Sequence, residues 1–387
     1  MKSRLKLPLL AARESELEKC VYCPKLCRAV CPVGNVEASE TLTPWGKMSL
    51  AYFAARGDFD LDRAHADTAW ACTGCLACRE RCEHKNEVAQ VLGAARAEFF
   101  AAGLAPAGAV AVAASWPERS KKLAASVAVL CRDTGTALAP AAPGAGGAAR
   151  QSPARTALLV GCSYARHALA EARAIVALGR RFGTGAGQAG ASHPLALVPL
   201  CCGLPLLQAG ARGAFMQAAA ALSETLRRFD RVIVADPGCA LVLRRVYPEA
   251  GIPLPPVELL VDVLVARMGA LPANRLAGRK LRYADPCKLG RGLGRYDEPR
   301  AILARLCGAP PAEMPRAREA AECSGAGGLL PATRPEASAA IAAERVAEHR
   351  ELGGGTLVTA CGGSLRRLRG LGTEVADLYA LVASALD

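Results

Sequence analysis

Eight of the 17 cysteines in this chain of 387 residues lie in two short runs near its N-terminus. The first run comprises Cys20, Cys23, Cys27 and Cys31, and the second comprises Cys72, Cys75, Cys78 and Cys82. Thiolates are soft anionic ligands, so closely spaced cysteines predict a metal centre. One run of four, taken alone, would suit zinc as well as an iron–sulfur cluster.

The spacing of the two runs favours iron–sulfur clusters. Gaps of two, two and three residues separate the cysteines of the second run, which is the spacing of bacterial four-iron cluster runs. The first run has gaps of two, three and three and ends in Cys31-Pro32. Two matched runs predict two 4Fe–4S clusters that pass single electrons between them. Because the fourth cysteine of such a run serves the other cluster, we assign Cys20, Cys23, Cys27 and Cys82 to one cluster and Cys31, Cys72, Cys75 and Cys78 to the other.

The composition excludes several other classes of protein. The net charge is +13, but the arginines are scattered and no long basic run interleaves with aromatic residues, so we expect no nucleic-acid partner. No apolar run approaches the length of about 20 residues that spans a membrane. Clustered free thiols indicate a reducing compartment, and we expect a cytoplasmic protein.

Helical patterns surround the two runs. Residues 1–19, 48–56 and 86–103 have helical composition or an apolar helical face, which predicts a small helical domain over 1–104. A helical connector and a linker rich in Pro, Gly and Ala, running from Pro140 to Pro153, are predicted over 105–155.

The remainder of the chain contains an internal repeat in which short apolar strands lead to cysteines. Copy one, over 156–270, has three such strands, which lead to Cys162, to the pair Cys201-Cys202 and to Cys239. Copy two, over 279–387, has corresponding positions at Cys287, Cys323-Ser324 and Cys361. The intervening segments are 38 and 36 residues long in copy one and 35 and 36 in copy two. Strands alternating with helical segments predict parallel βα units, in which ligands bind at the carboxyl ends of strands.

These motifs together resemble the iron–sulfur oxidoreductases with tandem cysteine-rich CCG domains. That family includes the iron–sulfur subunit of glycolate oxidase, a subunit of anaerobic glycerol-3-phosphate dehydrogenase and the catalytic subunit of heterodisulfide reductase. The resemblance rests on both runs, the turn Pro44-Trp45-Gly46-Lys47, Cys201-Cys202-Gly203, Asp285-Pro286-Cys287 and the loop 323–328. It implies an α-helical ferredoxin-like domain followed by two α/β CCG repeats with parallel strands.

The resemblance also implies a function. Such a subunit relays electrons from an FAD-containing dehydrogenase, acting on a 2-hydroxy acid such as glycolate or lactate or on glycerol-3-phosphate, toward a quinone-type acceptor. Peripheral contact with the inner face of the membrane, or with a quinone-reducing partner, would fit that role. The alternative is a thiol-disulfide oxidoreductase of the heterodisulfide reductase type, acting at the CCG cysteines. The sequence contains no flavin or nicotinamide motif, so we expect no dehydrogenase activity from this chain alone.

The chemistry of the repeats stays open at this level. Cys162, Cys201, Cys202 and Cys239 in copy one, and Cys287, Cys323 and Cys361 in copy two, could hold a further iron–sulfur cluster or zinc, or act as redox-active thiols. The serine at 324 replaces the second cysteine of the family pair, and neither copy ends in the additional Cys-x-x-Cys of the heterodisulfide reductases. Cys131 and Cys307 are predicted to be core thiols without a ligand role.

The serine at 324 predicts unequal metal binding by the two copies. A serine oxygen is a harder and more basic ligand than a thiolate, so copy one is expected to be the stronger metal site. Cys202→Ser should therefore lose repeat-bound metal, and Ser324→Cys should retain or gain it, as measured by metal analysis. The ranking is wrong if Cys202→Ser leaves the metal content unchanged while Cys323→Ser removes it.

Overall fold

The protein is described here from a computed structural model that covers residues 3–140, 155–183 and 195–387. Apart from Pro140, the predicted Pro/Gly/Ala linker lies outside the described residues. Within the described ranges, no helix combines the length and the apolar character needed to cross a membrane.

The N-terminal region is helical and carries both cysteine runs. Its helix α4 begins at Pro44, where the Thr43 hydroxyl accepts a hydrogen bond from the Gly46 amide, and ends before Gly57, which adopts a left-handed conformation. Leu17, Met48 and Trp70 fill its core. The helices are α1 Pro8–Ala11, α2 Glu14–Val21, α3 Pro32–Val36, α4 Pro44–Arg56, α5 Arg63–Asp67, α6 Ala77–Glu80 and α7 Val88–Ala101, with 3₁₀ turns at Arg28–Val30 and Thr68–Trp70.

Two further helices lead from this region into the first repeat. They are α8 Ala107–Ala114 and α9 Trp116–Thr134. The sequence predicted a helical connector at this point of the chain. Helix α9 packs against the first two helices of copy one, and the chain then forms strand β1, Ala137–Leu138, at the edge of the first sheet.

Copy one is a five-stranded parallel sheet in the order β1-β3-β2-β4-β5. Its strands are β1, β2 Thr156–Leu159, β3 Leu195–Leu197, β4 Arg231–Val234 and β5 Val257–Leu259. Its helices are α10 Cys162–His167, α11 Leu169–Phe182, α12 Leu204–Ala209, α13 Arg212–Leu226, α14 Pro237–Leu241, a π-helical turn Val242–Val246, α15 Tyr247–Glu249, α16 Leu260–Val265 and a 3₁₀ turn Met268–Ala270.

Copy two is a four-stranded parallel sheet in the order β7-β6-β8-β9. This order repeats β3-β2-β4-β5 of copy one. Its strands are β6 Leu281–Tyr283, β7 Ala312–Glu313, β8 Thr356–Thr359 and β9 Glu374–Asp377. Its helices are α17 Gly290–Leu293, α18 Asp297–Cys307, a 3₁₀ turn Arg318–Ala320, α19 Leu330–Thr333, α20 Pro335–Glu351, α21 Gly362–Leu368 and α22 Leu378–Leu386.

The predicted fold class is confirmed, because a helical region with the cysteine runs precedes two parallel α/β sheets. The repeated strand order places the repeat cysteines beyond the carboxyl ends of the strands. Cys162 follows β2, Cys239 follows β4, and Cys287 follows β6. The sequence analysis did not identify the strands at the edges of the two sheets, which are only two to four residues long: β1, β5, β7 and β9.

The two repeats are joined by two tyrosines, one from each copy. The Tyr164 hydroxyl of copy one donates to Asp377 Oδ2 of copy two at 2.7 Å, and the Tyr379 hydroxyl of copy two donates to the Ala235 carbonyl of copy one at 3.2 Å. Asp377 also accepts the backbone amides of Tyr379 and Ala380 through Oδ1, which caps α22. Burial raises the pKa of Asp377 to about 7. Because this pKa lies above the usual carboxyl value, folding becomes less favourable as the pH rises from about 4 to about 7.

The Tyr164→Phe variant should unfold more easily, because Asp377 loses a hydrogen bond inside the core. We expect a loss of about 1–3 kcal/mol in the free energy of unfolding, measured by denaturant titration. The loss should be larger above pH 7 than below it, since the Tyr164 hydroxyl stabilises the ionised carboxylate. The exposed Tyr22, 74% accessible, provides the matched Tyr22→Phe control. An equal loss in both variants, or no loss in Tyr164→Phe, would contradict this account.

Candidate metal centres and the cysteine repeats

Four of the eight predicted ligands line one cavity in the N-terminal region. They are Cys31, Cys72, Cys75 and Cys78, and the Lys47 side chain lines the same cavity. Cys31 precedes α3, which begins with Pro32, and Cys78 lies in α6. Between Cys72 and Cys78 the backbone turns through left-handed conformations at Gly74 and Leu76. We call these four cysteines the inner group.

The other four predicted ligands also lie together, and we call them the outer group. Cys20 lies in the last turn of α2, Cys23 and Cys27 lie in the loop that follows it, and Cys82 lies shortly after α6. Burial, together with the negative charge of the neighbouring cysteines, raises the pKa of Cys20 to about 12, against an opposing hydrogen bond from Asn86. Burial and the Cys23 charge raise the pKa of Cys27 to about 11. The charges of Cys23, Cys27 and Cys82 all act on Cys20, so the structure places these four residues near one another.

Hydrogen-bond donors reach the sulfur atoms of both groups. Lys47 Nζ lies 3.4 Å from Cys31 Sγ and 2.6 Å from the Ala71 carbonyl, and Lys47 is only 2% exposed. Burial works to lower the pKa of Lys47, but the thiolates of Cys31 and Cys72 outweigh it and the pKa is raised. In the outer group, Asn86 Nδ2 lies 3.0 Å from Cys20 Sγ. Donors of this kind stabilise thiolates bound to a cluster.

The donor set fits an iron–sulfur cluster. The inner group supplies four sulfur ligands around one cavity and a buried cation to balance their charge, and a bound cluster would supply one-electron chemistry there. Within the described ranges, no three Cys, His, Asp or Glu side chains are close enough together to hold a single metal ion. Cys131 in α9 and Cys307 in α18 are partly buried against the core.

The second repeat packs directly on the inner group through its glycine-rich loop. A Cβ atom on Gly328 would lie 1.9 Å from the Cys72 carbonyl oxygen, and one on Gly327 would lie 2.3 Å from the Thr73 carbonyl oxygen. Neither approach is possible with a side chain present. The sequence analysis identified the loop 323–328 as part of a motif. This contact explains why the loop has glycine at 327 and 328, since a larger residue would overlap the backbone at Cys72 and Thr73.

A buried arginine fixes this packing. Arg96 of α7 donates to the Ala69 carbonyl at 2.9 Å, to Cys72 at 2.6 Å, to Gln208 at 3.2 Å and to Gly328 at 3.1 Å. These acceptors belong to the N-terminal region, to copy one and to copy two. One guanidinium therefore links all three parts of the chain around the inner group. The sequence analysis missed Arg96, since it lies in an ordinary helical segment with no motif around it.

The inner group is in contact with the cysteines of copy two. The Cys323 thiol donates to the Cys75 sulfur, and this hydrogen bond is the main cause of the lowered pKa of Cys75. Arg291 lies beside both residues, and its Nε donates to the Cys75 carbonyl at 2.6 Å. The Gly325 amide lies 3.3 Å from Cys323 Sγ. Cys323 is 4% exposed, so this sulfur contact is shielded from solvent.

The remaining thiols of copy two lie near these residues. The charges of Cys287, Cys361 and Cys323 raise the pKa of Lys288 against the effect of its burial. Burial, then the charge of Asp236, raises the pKa of Cys361 to about 12. The hydroxyl of Ser324 is hydrogen-bonded to that of Ser364 at 2.9 Å. Copy two therefore presents three thiols, two nearby cations and a pair of serine hydroxyls.

The four thiols of copy one are packed against one another. Cys202 Sγ donates to Cys239 Sγ at 3.4 Å, and Cys162 and Cys201 are also hydrogen-bonded to each other. Burial raises the pKa of Cys239 to about 12, although the bond from Cys202 opposes this shift. Because a metal binds thiolates, any metal at this site must displace protons from neutral thiols.

Comparison with protein families agrees with these two kinds of site. Residues 16–86 match the model of a 4Fe-4S dicluster domain, and residues 187–244 and 281–368 match the CCG model, described as a cysteine-rich domain. The chain belongs to the CCG-domain iron–sulfur oxidoreductases. Both sections of the CCG match include strands and cysteines of the two repeats, while Cys162 lies ahead of the first section.

The chain is similar to parts of several curated proteins. It is 31% identical over 41% of its length to a probable membrane-anchored ferredoxin of Chromohalobacter salexigens and 29% identical over 48% to a subunit of the dihydromethanophenazine:CoB–CoM heterodisulfide reductase of Methanosarcina barkeri. It is 33% identical over 28% to the EtfAB:quinone oxidoreductase of Syntrophomonas wolfei. These matches span 26%, 49% and 16% of the three relatives, so the chain matches at most about half of any of them.

The Gly328→Ala variant tests the packing of copy two on the inner group. The added Cβ would meet the Cys72 carbonyl, so the loop must move, and we expect the free energy of unfolding to fall by clearly more than the 1–2 kcal/mol cost of a left-handed alanine. Unfolding is measured by denaturant titration and the inner cluster by its visible absorbance.

Gly294→Ala is the matched control for that experiment. Gly294 has a φ of 72°, close to the 66° of Gly328, but its Cβ would have no neighbour within 4 Å. It should show only the conformational cost and keep both clusters. If the two variants lose the same stability, the close packing of the loop on Cys72 is not important.

Proposed function

We propose that this chain is the electron-transfer subunit of an oxidoreductase and that it carries two 4Fe–4S clusters. The outer group would hold one cluster and the inner group the other, and the cysteines of copy two, Cys323 among them, would hold the next electron acceptor, either as ligands of a bound metal or as a disulfide. The domain boundaries at 1–104, 105–155, 156–270 and 279–387 are part of this proposal, with β1 added to the first sheet. The proposal also includes a further iron–sulfur cluster or zinc bound by the cysteines of the repeats.

The observation that supports the relay is an unbroken series of neighbouring thiols. The outer group lies near the inner group, since the charge of Cys31 contributes to the raised pKa of Cys27 and the charge of Cys27 to that of Cys78. The inner group then reaches copy two through the hydrogen bond between Cys75 and Cys323. Clusters held by neighbouring groups of this kind could exchange single electrons without any movement of the protein.

The direction of the relay follows from exposure. The large apolar residues Tyr22 and Leu26, 74% and 59% exposed, flank Cys23 in the outer run. The inner group lies beneath the glycine-rich loop of copy two. The outer cluster is therefore the group that a donor protein can approach, and the inner cluster passes electrons on toward the repeats.

The proposed donor is an FAD-containing dehydrogenase that oxidises a 2-hydroxy acid or glycerol-3-phosphate, and the proposed acceptor is of the quinone type. The name of the EtfAB:quinone oxidoreductase, one of the relatives, supports a quinone-type acceptor. A cytoplasmic position with peripheral contact to the membrane would suit such an acceptor.

A second candidate function is disulfide reduction at copy two. The contact between Cys75 and Cys323 supports it, because it would place the inner cluster beside Cys323, with Cys287 and Cys361 nearby. Two electrons from the cluster, delivered one at a time together with two protons, would reduce a disulfide there to two thiols. The similarity to a heterodisulfide reductase subunit agrees with this alternative. Reduction of an added disulfide by the reduced chain, in the absence of any quinone, would favour it.

Cluster variants test the relay. Full-length protein, reconstituted anaerobically, should contain iron and sulfide for two four-iron clusters. Cys23→Ser should impair the outer cluster and slow reduction by a flavoprotein donor, whereas Cys75→Ser should leave reduction of the outer cluster intact and block electrons from reaching an added acceptor. Cys131→Ser, which replaces a thiol outside both groups, is the control and should behave as the unaltered protein.

Two results would contradict the proposal. The first is a folded protein that binds zinc alone or no metal. The second is turnover of glycolate or lactate with a dye acceptor by the isolated chain without a flavoprotein.

A further inference from the structure

Three buried cations surround the short loop 71–75 that carries two of the inner cysteines. They come from three different parts of the chain: Lys47 from α4, Arg96 from α7 and Arg291 from α17. Their exposed fractions are 2%, 5% and 5%. Each donates to a backbone carbonyl of the loop at 2.6 Å, and the three acceptors in order are Ala71, Cys72 and Cys75.

None of these cations has a carboxylate partner within the described part of the chain. Arg96 donates only to backbone carbonyls, and Lys47 donates to a carbonyl and to Cys31 Sγ. Arg291 donates to the carbonyls of Cys75, Glu319 and Ala321, and its Nη2 has no hydrogen-bond partner. A buried charge without a counter-ion is strongly unfavourable, so an anion belongs among these three side chains.

The inner group supplies that anion. The charges of Cys31, Cys72 and Cys78 act on Lys47, that of Cys72 acts on Arg96, and that of Cys75 acts on Arg291. A cluster bound by four thiolates carries net negative charge, and one more electron makes it more negative. The buried cations therefore stabilise the reduced cluster more than the oxidised one, because charges in a buried site are poorly screened.

Among the residues that the structure describes, no buried cationic side chain donates a hydrogen bond to a cysteine of the outer group. Its buried donor is the neutral amide of Asn86. Arg28 in the outer run is 61% exposed and is paired with Glu40, and Lys19, beside Cys20, is exposed. Solvent and salt screen charges in such positions, so they have little effect on the potential of a nearby cluster.

We propose that Lys47, Arg96 and Arg291 give the inner cluster a higher reduction potential than the outer cluster and thereby set the direction of electron transfer. The inference rests on the proposed two-cluster relay and adds the residues that drive it. In the transfer step the outer cluster loses one electron and the inner cluster gains it. No bond forms or breaks, and no proton is required. The three residues are positioning residues, since they act through the loop and the cluster ligands.

The test is a redox titration of the full-length, reconstituted protein followed by electron paramagnetic resonance. The inner signal is identified as the one lost in Cys75→Ser. In the unaltered protein its midpoint potential should be the higher of the two. In Lys47→Gln it should fall by about 59 mV or more, which is a tenfold change in a one-electron equilibrium. The outer midpoint should stay where it was.

Two further variants separate charge from structure. Lys47→Arg keeps a cation in the cavity and should restore most of the inner midpoint. Lys19→Gln removes an exposed charge next to the outer run and should change neither midpoint appreciably. If Lys47→Gln fails to bind the inner cluster, Arg291→Gln takes its place and should lower the same midpoint.

The outcomes distinguish this inference from the proposed function. Two clusters with the outer midpoint higher, or an inner midpoint unchanged in both Lys47→Gln and Arg291→Gln, would overturn the inference and leave the relay proposal intact. Iron analysis that finds fewer than two clusters in the unaltered protein would overturn the proposed function itself. Once Cys75→Ser has identified the inner signal, the order of the two midpoints in the unaltered protein gives a result whatever the Lys47 and Arg291 variants do.

Discussion

The arrangement of this protein depends on one buried guanidinium. Arg96 cannot lose its charge, and inside the protein each of its donors needs an acceptor. Its four carbonyl acceptors come from the 3₁₀ turn before the second cysteine run, from the run itself and from each repeat. The side chain is satisfied only when these segments are all in place. The same requirement holds the inner cysteines at a fixed position relative to both repeats.

The two repeats share a strand order but differ in what surrounds their cysteines. Copy one keeps four thiols, which are hydrogen-bonded in pairs, as between Cys202 and Cys239. Copy two has lost one thiol, yet its Cys323 is hydrogen-bonded to Cys75 and lies beside the Arg291 guanidinium. Copy one therefore has more ligands for a metal, whereas copy two is the copy in contact with the inner group. A metal site and a point of electron delivery need not be the same repeat.

Much of this organisation could be predicted from the sequence. The spacing of the cysteine runs, the alternation of apolar strands and helices, and the equal intervals within the repeats are local patterns, and the fold class inferred from them is confirmed. The ligand assignments and domain boundaries stay predictions, although the structure brings the assigned cysteines together. The edge strands β1, β5, β7 and β9 were not identified, since each is only two to four residues long and none is fully buried.

The contacts that join the three parts of the chain could not be predicted from one sequence. Lys47 was part of a recognised turn, but nothing in the turn indicates that its ammonium is buried beside Cys31. In the sequence, Arg96 and Arg291 look like any other of the scattered arginines. Their role depends on carbonyl groups more than 200 residues away, at separations of 232 residues for Arg96 and Gly328 and 216 for Arg291 and Cys75. Only the folded chain brings such groups together.

Those long separations also bear on how the protein is made. The inner cysteines leave the ribosome well before Gly328, whose backbone later covers Cys72 so closely that no side chain fits between them. Contacts between segments so far apart form late in folding, because closing a long loop is entropically unfavourable. Until then the inner loop is uncovered. A cluster bound by Cys72, Cys75 and Cys78 before copy two docks would afterwards be covered by the glycine-rich loop at Gly328.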